Sequence, residues 1–331
     1  MGKNLVSTLI PILFISTSLA QIKVNGYLQY QYRVELKVQN TETFTPGTIN
    51  LKFYGNLNPK VKWEIQLGLK EMNFYKFLKD YYIELVDPLN KISGLELKFG
   101  QFKYHWSIER KESSSDRKTI YRSQVVSALV ADRDRGLEVI YSGVKNLKLA
   151  LGFWNGNVVY KDKGKITETI DYTRNMDDSD VKKDITVFAS YNYSIKKDDG
   201  LIVQVAYLYG SNGKYDISNK TRYAVGFDGY FLNRNLQLRG EFIGGKDDDV
   251  KKEGYYVQAS YRIFDYLEPV LKYEWWDNDK NTPGKSNWIT LGLYSKVLDH
   301  VAFRLNYITK IEKDVTEEKN DELSFMIQVK F

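Results

Sequence analysis

A two-residue periodicity of hydrophobicity constrains the fold of this chain more than any other feature of its sequence. In residues 22–38, "IKVNGYLQYQYRVELKV", every even position is apolar, aromatic or Gly, and every odd position is polar, charged or Tyr. Such alternation predicts a β-strand whose two faces meet different surroundings. The run spans 17 residues, whereas strands of globular proteins usually have about 5–6, so an ordinary sheet does not account for it.

The same alternation recurs in fifteen further segments, which predicts sixteen strands in all. Short alternating segments separated by turn residues are the expected signature of a membrane β-barrel, weak in one segment but strong in many. The further segments are 49–57, 61–69, 81–85, 95–99, 137–141, 147–153, 185–193, 201–209, 223–231, 236–244, 255–263, 267–275, 289–293, 301–307 and 323–331.

The distribution of charge over the two faces is a sharper test. The apolar faces of the sixteen segments comprise 74 positions, of which about 20 would be charged at the overall frequency of 27%, yet none is. The opposite faces carry 14 Lys or Arg and 11 Asp or Glu. A charge that faces the middle of a bilayer costs roughly 2–4 kcal/mol in a barrel, which explains the exclusion. A soluble β-sandwich is the alternative, but it would have to bury sixteen uncharged rows in two very large sheets.

The connections between the segments alternate between tight turns and longer polar links, as in membrane barrels with periplasmic turns and external loops. Residues 102–134 form one long link after the fifth strand and would be the third external loop. Its middle, "YRSQVVSALV", is apolar enough to pack against a barrel wall, although an ordinary mobile loop is the alternative. The predicted fold is therefore an all-β transmembrane antiparallel barrel of 16 strands, with an inward-folded third external loop.

The N-terminal residues predict export. Lys3 precedes an apolar stretch that ends in Ser18-Leu19-Ala20, which is typical of a secretory signal peptide cleaved before Gln21. After residue 20 the sequence has no run of about 18 apolar residues, so it predicts no transmembrane helix. The absence of Cys excludes disulfides and a lipidated cysteine. We expect a signal peptide at 1–20 and a barrel domain at 21–331, in the outer membrane of a Gram-negative-type bacterium.

The width of the predicted barrel has a functional consequence. Side chains no longer fill a barrel of sixteen strands, so an aqueous channel is expected, lined by the charged faces. The link 102–134 carries seven basic and five acidic residues and is the best candidate for the narrowest part. Basic rings favour anions, whereas mixed rings pass small polar solutes with little selectivity. The balance of 14 to 11 on the inner faces fits either outcome and predicts at most a weak preference for anions.

Several motifs in order resemble the phosphate-selective porin O and P family. They include "LKFGQFK" (97–103), "RDRG" (133–136), "LALGFWNGN" (149–157), "LRGEFIGG" (238–245) and "EGYYVQASYRIFDYLEPVLKYEWWD" (253–277). The resemblance implies a typically trimeric, sixteen-stranded outer-membrane porin that passes anions, including phosphate, along basic side chains. It implies loop candidates at Lys103, Arg110, Arg117 and Arg122. Strand parity alone adds wall candidates at Arg33, Arg222, Arg239, Arg262, Lys272 and Arg304.

Other functions have little support in the sequence. His105 and His300 are the only histidines, and neither lies in a catalytic pattern, so no enzymatic activity and no cofactor are predicted. The acidic run at 246–252 is interpreted as a solvated loop rather than a metal site, and an exported chain without a basic helix is not expected to bind nucleic acid. Phe331, on the lipid-facing parity, resembles the signal read by the outer-membrane assembly machinery. A non-conducting barrel that serves as an adhesin or structural anchor is the alternative function.

Overall fold

The architecture is that of a computed structural model, which describes residues 22–37, 41–70, 77–156, 159–162, 165–168, 183–212, 217–316 and 320–331. The predicted signal peptide at 1–20 lies outside these residues. No helix in the described part of the chain is long and apolar enough to cross a membrane.

Sixteen antiparallel strands form one closed barrel, in which β1 pairs with β18 to complete the ring. The remaining two strands, β8 and β9, form a separate hairpin within the link between β7 and β10. The barrel strands are β1 (Lys23–Leu36), β2 (Thr41–Asn58), β3 (Val61–Gly68), β4 (Leu78–Val86), β5 (Leu95–Phe102), β6 (Asp134–Tyr141), β7 (Leu147–Trp154), β10 (Asp184–Ser194), β11 (Gly200–Asn212), β12 (Ile217–Phe231), β13 (Leu236–Asp247), β14 (Val250–Tyr261), β15 (Leu267–Asp277), β16 (Lys285–Leu298), β17 (Val301–Lys313) and β18 (Asp321–Lys330). The hairpin strands are β8 (Val159–Asp162) and β9 (Lys165–Glu168).

Each of the sixteen predicted segments corresponds to one barrel strand, so the predicted number and order of strands are confirmed. The exposure of the side chains follows the predicted parity. In β11, Val203, Val205 and Tyr207 are exposed, while Gln204 and Ala206 between them are buried. The uncharged parity therefore faces outward, and the polar parity faces the barrel interior.

Several strands extend beyond their alternating segments at the end opposite the tight turns. β13 and β14 are joined by only two residues, 248–249, and their ladder includes Asp247 paired with Val250. The interpretation of 246–252 as a solvated loop is therefore wrong, since Asp247 is buried and bonded to Arg222. The backbone N–H and C=O groups of a strand bond to the neighbouring strand, whatever surrounds the sheet. A strand can therefore continue beyond the apolar band into residues with polar side chains.

A β-bulge interrupts the ladder between β3 and β4. Gln66 pairs with Asp80 and Leu67 pairs with Leu78, which leaves Lys79 as the extra residue. The amide of Gln101 on β5 donates to the carbonyls of Leu78 and Lys79, at 2.9 and 2.7 Å, and so stabilises the distorted backbone. Bulges re-aim side chains, and this one breaks the alternation at Lys79.

Candidate functional site

The connection between β5 and β6, residues 103–133, contains two short helices, α1 (Ile108–Lys111) and α2 (Gln124–Leu129). We call these residues the L3 segment. Ser107 caps α1, and its hydroxyl accepts a hydrogen bond from the Arg110 amide at 3.2 Å. The Glu241 carboxylate on β13 accepts from the backbone amides of Ile108 and Glu109, at 2.8 and 3.0 Å. A carboxylate from the barrel wall thus satisfies amides that the first turn of a helix leaves free.

A second wall carboxylate holds the start of α2. Glu274 on β15 accepts a hydrogen bond from the backbone amide of Gln124 at 2.7 Å. Glu109 of α1 accepts from the amide and the hydroxyl of Ser123, at 2.8 and 2.7 Å, which ties the two helices together.

Lys272 on β15 joins these two carboxylates. Its ammonium lies 3.0 Å from Glu109 and 3.1 Å from Glu274, and the side chain is 1% exposed. Burial alone would raise the pKa of Glu109, but Lys272 and the bonds from Ser123 outweigh it and lower that pKa to about 2. Glu109 is therefore ionised at neutral pH and remains paired with the wall.

The middle of the L3 segment is held by β17 and β18. The Arg304 guanidinium donates to the carbonyls of Arg117 and Ser115, at 2.6 and 2.9 Å. Asn306 accepts from the Ile120 amide at 2.7 Å. These charge-assisted hydrogen bonds occupy donors of the Arg304 guanidinium. The side chain therefore holds the L3 backbone in position rather than binding a solute.

Apolar packing completes this attachment. Trp106, Val125 and Val126 of the L3 segment are at most 2% exposed. They belong to one buried cluster with Ala224 of β12 and Ile243 of β13. The L3 segment therefore contacts inward-facing side chains from β11 to β18, which are the C-terminal half of the barrel.

A cavity of about 370 Å³ lies between the L3 segment and the opposite wall, formed by β1 to β5. Among its lining residues are four carboxylates, and each has a cationic partner: Glu64 with Lys52 at 2.9 Å, Asp80 with Arg133 at 2.9 Å, Asp116 with Lys330 at 3.1 Å, and Asp132 with Arg110 at 3.6 Å as well as with Arg133. Lys98 lies 4.0 Å from Glu84. The acidic charge of the cavity is therefore neutralised by its own partners.

Five further cations line this cavity without a carboxylate within 4.0 Å among the described residues. Three of them, Lys103, Lys111 and Arg122, donate to backbone carbonyls that carry no net charge, as when Arg122 donates to the carbonyls of Glu109 and Glu112. The five unmatched cations are Lys79, Lys103, Lys111, Arg117 and Arg122. Like charges in one cavity raise its electrostatic potential, and a mobile anion relieves their repulsion.

The pKa values of the less exposed cations on the L3 segment are lowered. Burial, followed by the charge of Arg133, lowers the pKa of Lys103 well below its ordinary value. Burial and the neighbouring Arg122 also depress the pKa of Arg117, which stays charged because a guanidinium is among the strongest bases in proteins.

The structure separates the predicted site residues into two groups. Three of the four loop candidates, Lys103, Arg117 and Arg122, line the cavity together. Arg110 instead donates to the Val126 carbonyl at 2.7 Å and lies 3.6 Å from Asp132.

None of the six wall candidates lines that cavity. Five are paired with carboxylates: Arg33 with Glu35, Arg222 with Asp247, Arg239 with Asp228 and Glu112, Arg262 with Glu268, and Lys272 with Glu109 and Glu274. The sixth, Arg304, donates to the L3 backbone.

Sequence reasoning missed two of the five unmatched cations, Lys79 and Lys111. Lys79 has the parity of the outward-facing residues of β4, and only the bulge turns it toward the interior. Gly68 on β3 leaves room for it, since a Cβ at Gly68 would lie 2.3 Å from the Lys79 side chain. In the sequence, the one signal for an inward-facing Lys79 is that the alternating pattern breaks there and that Gly68 lies opposite on β3.

The two histidines have local structural partners. His105 Nδ1 lies 3.0 Å from Glu138, which also accepts from the His105 amide at 2.8 Å. His300 lies in the tight turn between β16 and β17, with its Nδ1 2.9 Å from the Lys330 carbonyl. Within the described residues, no cluster of three or more His, Asp or Glu has the arrangement of a metal site.

Comparisons with known proteins give a clear result for the fold. No family model matches the chain. An uncharacterised protein of Aquifex aeolicus (strain VF5) is 28% identical in an alignment of 157 residues that covers 41% of this chain and 37% of that protein. The chain therefore spans less than two fifths of the length of that curated relative.

Solved structures cover nearly the whole chain. The outer-membrane channel DcaP of Acinetobacter baumannii has a TM-score of 0.68 at 12% identity, with 96% of this chain and 99% of that chain covered. An anion-selective porin from Comamonas acidovorans has a TM-score of 0.66 at 14% identity, with 94% and 100% covered. OprB of Pseudomonas putida has a TM-score of 0.64 at 11% identity, with 98% and 97% covered. At these identities the likeness concerns the fold, and this chain shares the barrel fold of outer-membrane porins and channels.

Proposed function

We propose that this protein is an outer-membrane porin, a water-filled channel through which small hydrophilic solutes and ions diffuse down their gradients. Within the sixteen alternating segments the outward face carries no charge, as a lipid-facing surface requires, and the inward face is polar. The fold shared with outer-membrane porins and channels agrees with this function.

The L3 segment is proposed to fold into the lumen and form the narrowest part of the channel. Its bonds to Glu241, Lys272, Glu274 and Arg304 support this arrangement, because all four side chains belong to the inward-facing parity. The conducting path would then run through the cavity between the L3 segment and β1 to β5.

A preference for anions follows from the charge of this path. The five unmatched cations of the cavity are the observation that carries the proposal, because the carboxylates there are already paired. Cationic linings select anions by sign. The resemblance to the phosphate-selective porin O and P family suggests that phosphate is among the permeants.

The channel and its selectivity are tested by recording the purified protein in planar bilayers. We expect stepwise ohmic conductance and, in a KCl gradient, a reversal potential of the sign that anion selectivity gives. Substituting Arg117→Glu and Arg122→Glu should lower the chloride-to-potassium permeability ratio by about threefold or more, since one charge at about 4 Å in water is worth about 1 kcal/mol.

The variant Arg262→Glu is the matched control for each single substitution, because it makes the same change of charge on a residue that does not line the cavity. It should leave the permeability ratio close to that of the unmodified protein. A barrel that inserts but never conducts would instead support the alternative of a non-conducting adhesin or anchor. A cation-selective channel would refute the anion preference alone.

The remaining parts of the proposal concern biogenesis and assembly. Residues 1–20 would direct export and be removed before Gln21, leaving 21–331 as a barrel domain in the outer membrane of a Gram-negative-type bacterium. Phe331 would be read by the outer-membrane assembly machinery. A homotrimer is proposed because OmpT of Vibrio cholerae, a barrel of similar fold, has a trimer form.

A further inference from the structure

Three neighbouring tight turns, which we call the basic rim, lie at one end of the barrel. The turns that join β6 to β7, β10 to β11 and β12 to β13 are residues 142–146, 195–199 and 232–235. Hydrogen bonds hold these turns side by side. The Asn192 amide of β10 donates to the Asn146 carbonyl at 2.9 Å, and the Arg234 amide donates to the Asp199 carboxylate at 3.1 Å.

The basic rim carries more positive than negative charge. Its charged residues are the cations Lys145, Lys196, Lys197 and Arg234 and the carboxylates Asp198 and Asp199. Asp199 is only 8% exposed, and the Arg234 guanidinium lies over the Tyr230 ring, 4.4 Å from its centroid. The three lysines are exposed, and none has a carboxylate within 4.0 Å in the part of the chain that the structure describes. Exposed lysines at a membrane surface attract anionic headgroups.

An apolar groove begins beside the basic rim on the outward face of the barrel. Its first lining residue, Leu147, follows Lys145 by two positions, which is at most about 7 Å of extended chain. The other lining residues lie on β10 to β14, so the groove crosses six adjacent strands. Neighbouring strands are about 4.8 Å apart, which makes the groove roughly 24 Å long. Its volume of about 650 Å³ lies within the usual range of small-molecule sites, roughly 300–1,000 Å³.

Small outward-facing residues create this groove. Gly240 on β13 has no side chain, and the Phe227 ring of β12 lies across it, since a Cβ at Gly240 would be 2.9 Å from Phe227 Cε1. Ala189 on β10 is a second small lining residue, while Tyr191 and Tyr255 line the groove with larger side chains. An elongated apolar depression of this kind fits an acyl chain.

We infer that the basic rim and this groove form one binding site for an anionic phospholipid of the leaflet that the tight turns reach. Its phosphate would lie on Lys145, Lys196 and Lys197, and one acyl chain would lie in the groove. The positive charge of the rim is complementary to an anionic headgroup, and the groove is continuous with the uncharged outward face, which favours a lipid over a soluble anion. The inference shares with the proposed function only the location in a membrane and does not require conduction.

Native mass spectrometry of the detergent-purified protein tests this site. The protein is mixed with equal amounts of dioleoyl phosphatidylglycerol and dioleoyl phosphatidylcholine, which have the same acyl chains and differ in the net charge of the headgroup. We expect phosphatidylglycerol to be retained about tenfold more strongly, because each lysine near a membrane surface strengthens the binding of an anionic lipid by about fivefold. The triple variant Lys145→Gln, Lys196→Gln, Lys197→Gln should lose this preference.

The matched control is the triple variant Lys246→Gln, Lys251→Gln, Lys313→Gln, which removes three exposed lysines at the opposite ends of their strands. It should keep the preference for phosphatidylglycerol. Equal retention of the two lipids by the unmodified protein would overturn the inference, as would an equal loss of preference in both triple variants.

A second pair of variants tests the groove. Val225→Trp places a larger side chain in the groove and should weaken the retention of both lipids about equally. Ile83→Trp is its control, because Ile83 is similarly exposed, 51% against 57% for Val225, and lies outside the groove on β4. Unchanged retention in Val225→Trp would overturn the assignment of the acyl chain. A protein that retains lipid as expected but conducts no ions would refute the proposed channel and leave this inference intact.

Discussion

The ammonium of Lys272 lies 3.0 Å from the carboxylate of Glu109, and this ion pair joins the barrel wall to the L3 segment over 163 residues of sequence. Both side chains are almost fully buried, at 1% and 3% exposure. Removing one partner of a buried pair leaves the other charge uncompensated, which typically costs about 3–5 kcal/mol.

The variant Lys272→Met should therefore loosen the L3 segment without unfolding the barrel, whose ladder does not depend on this side chain. We expect faster proteolysis within residues 103–133 and larger fluctuations of single-channel current. The matched control is Lys252→Met, which removes a buried ion pair with Asp247 at 3.0 Å that does not contact the L3 segment. Equal stability of the L3 segment in both variants would contradict the assigned role of Lys272.

The carboxylate of Glu241 is expected to protect the first turn of α1 from exchange with solvent. The variant Glu241→Gln keeps one acceptor oxygen where the native carboxylate serves two backbone amides, those of Ile108 and Glu109. Losing a partner for a buried amide costs about 1–3 kcal/mol, so these amides should exchange about tenfold faster or more. Hydrogen–deuterium exchange with mass spectrometry of peptides from the L3 segment measures this change.

The control for that measurement is Glu253→Gln on the neighbouring strand β14, because Glu253 pairs with the exposed Lys280 at 2.6 Å. It should not alter exchange in the L3 segment. If Glu241→Gln also left the exchange unchanged, the carboxylate would not be the group that holds α1.

Anion selectivity should decline as the pH rises through the alkaline range. Burial and the nearby charge of Arg133 hold the pKa of Lys103 well below its ordinary value of about 10.4. Lys103 carries its charge below its pKa and loses it above, so the cavity becomes less positive at a pH where ordinary lysines remain charged. The sign is fixed, since loss of positive charge lowers the permeability of anions relative to cations.

Reversal potentials in a KCl gradient at a series of pH values test this prediction. The variant Lys103→Gln should be less selective at neutral pH and should lose the change that precedes the ordinary titration of lysine. A selectivity that stayed constant until that ordinary titration, near pH 10.4, would refute the lowered pKa of Lys103.

The variant Gly68→Ala should act on selectivity through Lys79. The new Cβ would lie 2.3 Å from the Lys79 side chain, which must move away from its position in the cavity. We expect a fall of about twofold or more in the chloride-to-potassium permeability ratio, as displacement of one charge by a few ångströms implies. In a Lys79→Ala background the same substitution should have no further effect, and an additive loss in the double variant would disprove the coupling.

The strands could be predicted because all outward-facing side chains share one kind of surroundings along the barrel, and all inward-facing side chains share another. From Val203 to Tyr207 in β11, the exposed Val203, Val205 and Tyr207 alternate with the buried Gln204 and Ala206, as the sequence pattern predicts. The ends of the strands were harder to predict, since polar residues beyond the apolar band follow no such rule. Asp247 shows this, as it belongs to a ladder although its neighbours in sequence suggest a loop.

The candidate site was less predictable because charge compensation depends on residues far apart in sequence. Parity correctly placed Lys272 and Arg304 on the inner face, but it could not reveal that Glu109 and the L3 carbonyls occupy their donors. Conversely, the inward direction of Lys79 was not predicted, because the β-bulge inserts one residue and so turns this side chain to the other face of the strand. A sequence pattern records which solvent a side chain meets, whereas the partners of that side chain depend on the assembled fold.

The L3 segment is held mainly by β11 through β18, and β1 to β5 form most of the wall that a solute would meet opposite it. Strands β1 and β4 also contribute contacts, since Gln29 donates to the Ser114 carbonyl at 2.9 Å and Asp80 lies 2.9 Å from Arg133. Substitutions in β1 to β5 that retain these two residues can therefore alter what passes while the L3 segment stays attached. Exchange of β1 to β5 between two such barrels would transfer solute preference only where the exchanged strands supply the same contacts.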